Sequence, residues 1–469
     1  RGDRLGSPGP DQGFGLTLAE RFRGTLALRP GEHEADAIAG ALTVALKRAS
    51  LFGRAPVIHD LTIAFTLFGF LDDQADDELV ALRRSYFEEA ANPHHYVEQR
   101  RIADLVAYCL AYEFEDTIAA VTGAQRIDAT DLPSIEFSRR AYKLARAVSG
   151  TAERARRWAP YPRSKVILDR DYEFFFPIFS HTYELYSLAA VPNWRQRSRK
   201  AACFISEVWS DMLPEYLVEL LSGFDHIFIG FRHCVDDVAR ITGKPCTYLP
   251  IAADVPRFAP ATLDQLRPIS VCNIGRRSPV THQALLNEAD RHQSFYYYDT
   301  VAASGDDLKN RTFRVDSPQE HRRILASILK NSNYYIANRS YVNKPEFTAG
   351  REEISSRFYE GAAAGCVMIG EAPRTEEFKR QFDWPDAVIH VPFDSPDIGR
   401  ILADLDSDPQ RLHAVRRNNV REAALRHDWL YRIQVVFDAL GLAPTEAMQA
   451  RAQRLAQIAA QGEVSTTSV

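Results

Sequence analysis

The sequence predicts an α/β protein in which two open parallel-sheet units face a cleft, with an additional all-α bundle ahead of them. Three observations carry this. Short apolar runs alternate with helical patterns from about residue 105 to about residue 440, the rhythm of strands joined by crossover helices. That rhythm is interrupted once, by the proline-rich, irregular stretch PIAADVPRFAPATLDQLRP at 250–268. Before residue 105 the apolar residues recur at helical spacing only.

Taken in order, residues 1–16 are rich in Gly, Pro and Asp and form a lead-in. Residues 34–50 place Ile38, Leu42, Ala45 and Leu46 on one helical face. His59 and Asp60 open a very apolar stretch, LTIAFTLFGFL, closed by the turn-like DDQADD, and 77–90 and 96–108 add two amphipathic segments. Residues 1–104 are therefore expected to be a helical domain that dimerises, binds the acceptor or recruits a partner. The unit 105–258 offers the candidate strands LVAYCLAY (105–112), YEFFFPIF (172–179), AACFIS (201–206) and HIFIGF (226–231). The unit 259–440 offers ISVCNIG (269–275), SFYYYDT (294–300), NYYIANR (333–339), CVMIG (366–370) and AVIHVPF (387–393), closed by helices at about 397–405 and 409–440. Residues 441–469 hold an Ala/Gln-rich helix (445–461) and a polar tail.

Composition narrows the function. Of 469 residues, 45% are hydrophobic and 25% charged, which suits a globular protein with more than one core. Lys plus Arg is 57 against 62 Asp plus Glu, a net charge of −5, so no basic excess argues for nucleic acid. Six cysteines without a C-x-x-C pair read as reduced, buried thiols, and the expected location is cytoplasmic. No apolar run reaches the roughly 18–20 residues of a membrane span. The chain opens at Arg1 rather than Met, and nothing visible in it requires a signal peptide. There is no P-loop, no G-x-G-x-x-G after a strand, no nucleophile elbow and no H-E-x-x-H or Cys/His cluster. Asp169-Arg170-Asp171 and Asp406-Ser407-Asp408 satisfy D-x-D, but their positions read as turns rather than metal ligands.

The densest chemistry lies in REEISSRFYEGAAAGCVMIG, Arg351 to Gly370. A polar start, a helix and small residues from Gly361 to Gly365 lead into an apolar strand. Small residues there let the helix approach another backbone closely. On a continuous helix Glu353, Arg357 and Glu360 fall within ~60° of one another. An ion-pair ladder on a solvated face would explain such charges. A helix joining two strands, however, brings its N-terminus to the cleft, where it favours a phosphate.

Glu352-x7-Glu360, followed by AAAG and a strand, resembles the donor-binding signature of GT-B glycosyltransferases with a group-one C-terminal domain. Further motifs come in the family's order. YLPIAADVPRFAP (248–260) resembles its interdomain segment, NIGRRS (273–278) its Gly-Arg loop, and HDWLYR (427–432) the closing helix that returns to the N-terminal half. The resemblance covers about 105 to 461 and implies two Rossmann-like domains. It implies that Glu360 binds the ribose hydroxyls and that Glu352, or Glu353 after a one-residue shift, touches the donor sugar. Arg276, beside Gly275, would hold the diphosphate. The family's lysine five residues beyond that arginine is Thr281 here, so Arg277 or Arg357 is the expected second cation, since a guanidinium fork suits phosphate. No metal and no cofactor beyond the nucleotide-diphosphate sugar are expected.

The acceptor half must supply a group for the incoming hydroxyl. Strand-end candidates are Glu113, Glu115 and Asp116 after 105–112, His181 after 172–179, Glu207 after 201–206, and Arg232 with His233 after 226–231. Glu207, beside Trp209, offers both a base and a sugar-stacking surface, with His181 the other catalytic candidate. The resulting expectation is a metal-independent, retaining glycosyltransferase of carbohydrate biosynthesis, acting on a saccharide, protein or small-molecule acceptor. A nucleotide-sugar epimerase on the same fold and a degenerate sugar-binding or scaffold protein are the alternatives.

Overall fold

The structure, a computed structural model, describes residues 109–461 except 128–133, 162–166, 209–212, 214, 300–316, 344–347 and 349. The expected helical domain of residues 1–104, the start of the 105–112 run, Trp209 and the polar tail lie outside the described residues.

The described chain begins with a helix where a strand was expected. Helix α1 (Cys109–Thr122) buries Cys109, Glu113, Phe114, Thr117, Ile118 and Val121, a three-to-four residue spacing that the apolar run LVAYCLAY conceals. A second helical pair follows, α2 (Ile135–Ser149) and α3 (Ala152–Trp158). The first sheet then gathers β1 (Tyr172–Phe175), β2 (Ile178–His181), β3 (Ser198–Glu207), β4 (His226–Ile229) and β5 (Cys246–Tyr248), with α4 (Ser187–Ala190), α5 (Glu215–Leu221) and α6 (Val235–Thr242) between them. All its pairings are parallel. The single strand expected at 172–179 is two pieces laid end to end on β3. Pro177 makes the break, because it has no N–H for the ladder; its carbonyl accepts from Phe204 N at 3.1 Å.

The proline-rich link, with the short α7 (Val255–Phe258), leads to the second sheet. Its strands are β6 (Ile269–Asn273), β7 (Tyr296–Tyr298), β8 (Ser332–Ile336), β9 (Val367–Gly370) and β10 (Ile389–His390). They are parallel in the order β10-β9-β8-β6-β7. The joining helices are α8 (Pro279–His292), α9 (Pro318–Lys330), α10 (Ser356–Ala363) and α11 (Glu376–Gln381). Gly361 lets α10 lie on this sheet: a Cβ there would meet Met368 Sδ at 2.7 Å and Tyr335 Cδ1 at 2.9 Å.

After α12 (Ile398–Asp406), the long helix expected over 409–440 is α13 (Pro409–Arg426) and α14 (Trp429–Leu440), broken at His427 and Asp428. Asp428 caps the new helix through Leu430 N at 2.8 Å and also accepts from Val255 N at 3.0 Å. The break thus stitches the closing helices to the link, and Arg432 adds bonds to the carbonyls of Pro250 and Ile251 at 2.9 and 3.1 Å. Helix α15 (Glu446–Gln461) closes the described chain. One core cluster runs from α1 through the link to the second sheet and α14, with Phe114 stacked on Trp429 at 4.4 Å. No helix among the described residues is long and apolar enough to cross a membrane.

Candidate active site

The second sheet reverses its strand order beside β6: the chain first adds β7 on one side and then β8 on the other. The carboxyl ends of β6 and β8 therefore flank a crevice, the place where open α/β sheets bind ligands. The loop after β6 carries Gly275 and Arg276, and the segment after β8 leads through Tyr341 to Glu352 and Glu353.

Gly275 has a φ of +79°, and a Cβ there would overlap the guanidinium of Arg357. The loop needs glycine for both reasons. Arg357, from the first turn of α10, lies along the loop and donates from Nε to the Ile274 carbonyl at 3.3 Å. Arg276 places its guanidinium 3.9 Å from the ring centre of Tyr341, a residue at φ 52° that the sequence did not single out. Arg277 points elsewhere. It pairs with Asp299, which also accepts from Gly275 N at 3.1 Å. Two cations, Arg276 and Arg357, thus flank the Gly275 loop, while Arg277 and Asp299 brace it.

Thr281 is buried rather than facing the crevice. Its hydroxyl donates to the Phe393 carbonyl at 2.6 Å and accepts from Ser395 N at 2.8 Å. It ties α8 to the chain after β10.

The expected single helical face of Glu353, Arg357 and Glu360 does not form, because α10 begins only at Ser356. Ser355 turns its hydroxyl to the Asn338 carbonyl at 2.7 Å, and residues 351–355 stay outside the helix. The two glutamates ahead of the helix therefore diverge. Glu352 accepts from Arg374 N at 2.6 Å and lies 3.4 Å from Arg339 Nε. It sits beside a cleft of about 220 Å³ lined by Arg339, Glu371, Arg374 and His390. Glu353 reaches the other way, to His233 after β4, with Nδ1 and Oε1 2.5 Å apart. Burial works against a charge on His233, yet its bonds to Cys234 and Glu353 hold its pKa at about 9. Burial raises the Glu353 carboxyl from its ordinary 4.5, and His233 pulls it back.

Glu360 lies deeper, 3% exposed. Arg322 Nη1 donates to it at 2.6 Å, and Arg322 Nε donates to Glu113 at 2.8 Å. Glu113 also accepts from Asp254 N at 2.7 Å and Trp429 Nε1 at 3.1 Å. Glu113 is thus a buried joint on a helix and not a strand-end group; Glu115 and Asp116 share that helix, where Asp116 pairs with Arg126. Nothing in PQEHRRILASILK distinguishes Arg322 from its neighbour Arg323, so this joint has no sequence signal.

On the first sheet, His181 and Glu207 are register partners at the carboxyl ends of β2 and β3. Their Nε2 and Oε1 atoms lie 4.0 Å apart. Burial pushes the His181 pKa down, against the pull of Glu207. Glu207 is also the largest influence raising the Tyr341 pKa and contributes to raising that of Glu353. Its charge is therefore felt by the second sheet's residues. Of the D-x-D matches, Asp171 pairs with Arg197 at 3.0 Å and Asp408 caps α13. Among the described residues no group of His, Cys, Asp and Glu is placed to hold a metal ion.

Residues 276–438 match the profile of the glycosyl transferase-like family, so this part of the chain is glycosyltransferase-like. No curated protein matches the chain. Among solved structures, Anabaena HepE in complex with UDP is 11% identical with a TM-score of 0.34, over 58% of this chain and 79% of that one. An alpha,alpha-trehalose-phosphate synthase (UDP-forming) from Burkholderia vietnamiensis is 10% identical with a TM-score of 0.37, over 75% and 83%. The glycosylation-associated Gap123 complex from Streptococcus agalactiae is 10% identical with a TM-score of 0.31, over 62% and 55%.

Proposed function

We propose that the chain transfers a sugar from a nucleoside-diphosphate sugar to an acceptor hydroxyl, with retention of configuration, in the crevice between the two sheets. One observation carries the reading: two guanidinium groups flank the Gly275 loop at the switch point, opposite a carboxylate–imidazole pair contributed by both sheets. Arg276 and Arg357 hold the diphosphate and stabilise its charge as the sugar–phosphate bond breaks, so that this charge is met by side chains. Glu353, rather than Glu352, presents its carboxylate to the donor sugar's hydroxyls. Glu207 serves the acceptor hydroxyl from the first sheet, with His181 beside it. Glu360 acts on the donor side from beneath, through Arg322. Retention rests on the analogy of the E-x7-E pattern.

The test is thermal stability against a panel of nucleoside diphosphates and their sugars, followed by product analysis with acceptor. A ligand at 100 times its dissociation constant stabilises by about 2.7 kcal/mol. The expected result is a shift with one nucleotide that is lost in Arg276→Ala, and a product anomer matching the donor. No shift with any nucleotide overturns the donor site, and donor turnover without acceptor moves the reading to an epimerase.

A further inference from the structure

The hairpin of α2 and α3 carries an apolar surface that the crevice does not explain. Of the twelve large apolar side chains exposed among the described residues, Phe137, Leu144, Val148 and Trp158 lie on this hairpin, and Tyr161 and Ile167 follow it in sequence. Such clustering is not the scatter of single apolar groups normal on a protein surface. Helix α2 has two apolar faces. One packs inward: Tyr142 is buried against Ala155 and Ala159 of the following segment, and Ser138 donates to the Pro160 carbonyl at 2.7 Å. The other looks out. Phe137, Leu144 and Val148 fall within ~40° of one another around the helix axis and are each about two-thirds exposed or more.

Charge selects what such a face fits. Residues 135–158 contain six arginines and one lysine against two glutamates, inside a chain whose net charge is −5. Arg140 borders the apolar stripe on one side, Lys143 lies ~100° from it on that same side, and both are exposed. One of the two glutamates, Glu136, is taken by Arg139 at 3.1 Å. An apolar stripe with cations along one side, on a hairpin that also exposes Trp158, is the pattern of a helix lying in the plane of an anionic lipid surface. The long basic stems reach outward to the headgroups while the stripe enters the acyl boundary. We propose that α2 docks this protein peripherally on a bilayer containing anionic lipid.

The experiment is co-sedimentation of the full chain with vesicles of phosphatidylcholine alone and of phosphatidylcholine with phosphatidylglycerol. The expected result is binding to the anionic vesicles only, weakened by salt as exposed charges are screened. Arg140→Glu with Lys143→Glu lowers partitioning roughly tenfold or more. Leu144→Gln, at an exposed position, lowers it with an unchanged melting temperature. No sedimentation with either vesicle overturns the proposal and gives the face to a protein partner or to residues 1–108. Equal binding to both vesicles, or wild-type binding by Leu144→Gln, overturns it as well. Should a variant fail to fold, the lipid and salt dependence of the wild type still decides.

Discussion

His233 Nδ1 and Glu353 Oε1 meet at 2.5 Å although 120 residues separate them in sequence. One follows a strand of the first sheet and the other precedes a helix of the second, so their bond links the two sheet units. The imidazole is held at about 9, above its unfolded value of ~6.5. The folded state therefore binds this proton more tightly. The bond's stabilisation is fully present below ~6.5 and is lost as pH rises through about 9. The groups facing His233 are Glu353 and Cys234, and those facing Glu353 include Arg351 and Glu207. We expect the melting temperature of the wild type to fall between pH 7 and about 10 and that of His233→Gln to fall less. Parallel curves would remove the pair from the crevice's stability.

The two guanidinium groups at the Gly275 loop give a second prediction. On the proposed reading, Arg276→Ala and Arg357→Ala each remove charge-assisted bonds to the diphosphate, about 1.5–3 kcal/mol, or ten- to hundredfold in nucleotide affinity by calorimetry. Gly275→Ala reproduces the Arg357 loss, because its methyl displaces the guanidinium and its backbone is strained at φ +79°. Arg277→Ala loosens the loop by freeing Asp299 and lowers affinity less. Unchanged affinity in both Arg276→Ala and Arg357→Ala would place the phosphates elsewhere.

Arg322 between Glu113 and Glu360 supports a third. Burial disfavours the charge on Glu113, but Arg322 and the Asp254 amide overcome it, and its pKa is lowered. Its contribution is therefore present above the ordinary carboxylate value and is lost as pH falls. Arg322→Met leaves two buried carboxylates without their shared cation and is expected to cost about 3–5 kcal/mol in urea unfolding. Glu360→Gln tests which role dominates at this position. A residue committed to Arg322 lowers stability first, whereas a direct ribose contact would lower nucleotide affinity at unchanged stability.

Much of this was legible in the sequence, and the misses have physical causes. The parallel strands from 172 onward showed because buried strands are short, continuous apolar runs. The run at 105–112 has the same look, and apolarity alone does not separate a buried helix from a buried strand. The three-residue β5 was missed because CTY is too short to register. The spacing of Glu352 and Glu360 assumed one continuous helix. The helix starts at Ser356, so Glu353 and not Glu352 crosses to the first sheet. Tyr341 and Arg322 carry no local pattern; only the fold brings them to Arg276 and Glu113.

Thr281 makes the last prediction, and it bears on whether position 281 could supply a cation to the crevice. The side chain is 4% exposed, and its hydroxyl both donates to Phe393 O and accepts from Ser395 N. A lysine here would bury an ammonium, and it would leave Ser395 N without its acceptor. Thr281→Lys is therefore expected to destabilise the fold by several kcal/mol without tightening nucleotide binding. Thr281→Val keeps the shape and removes the two bonds, at about 1–3 kcal/mol. Arg357 already stands at the Gly275 loop, so on the proposed reading the second cation comes from α10 rather than α8. Tighter nucleotide binding by a folded Thr281→Lys would show that position 281 opens onto the phosphates after all.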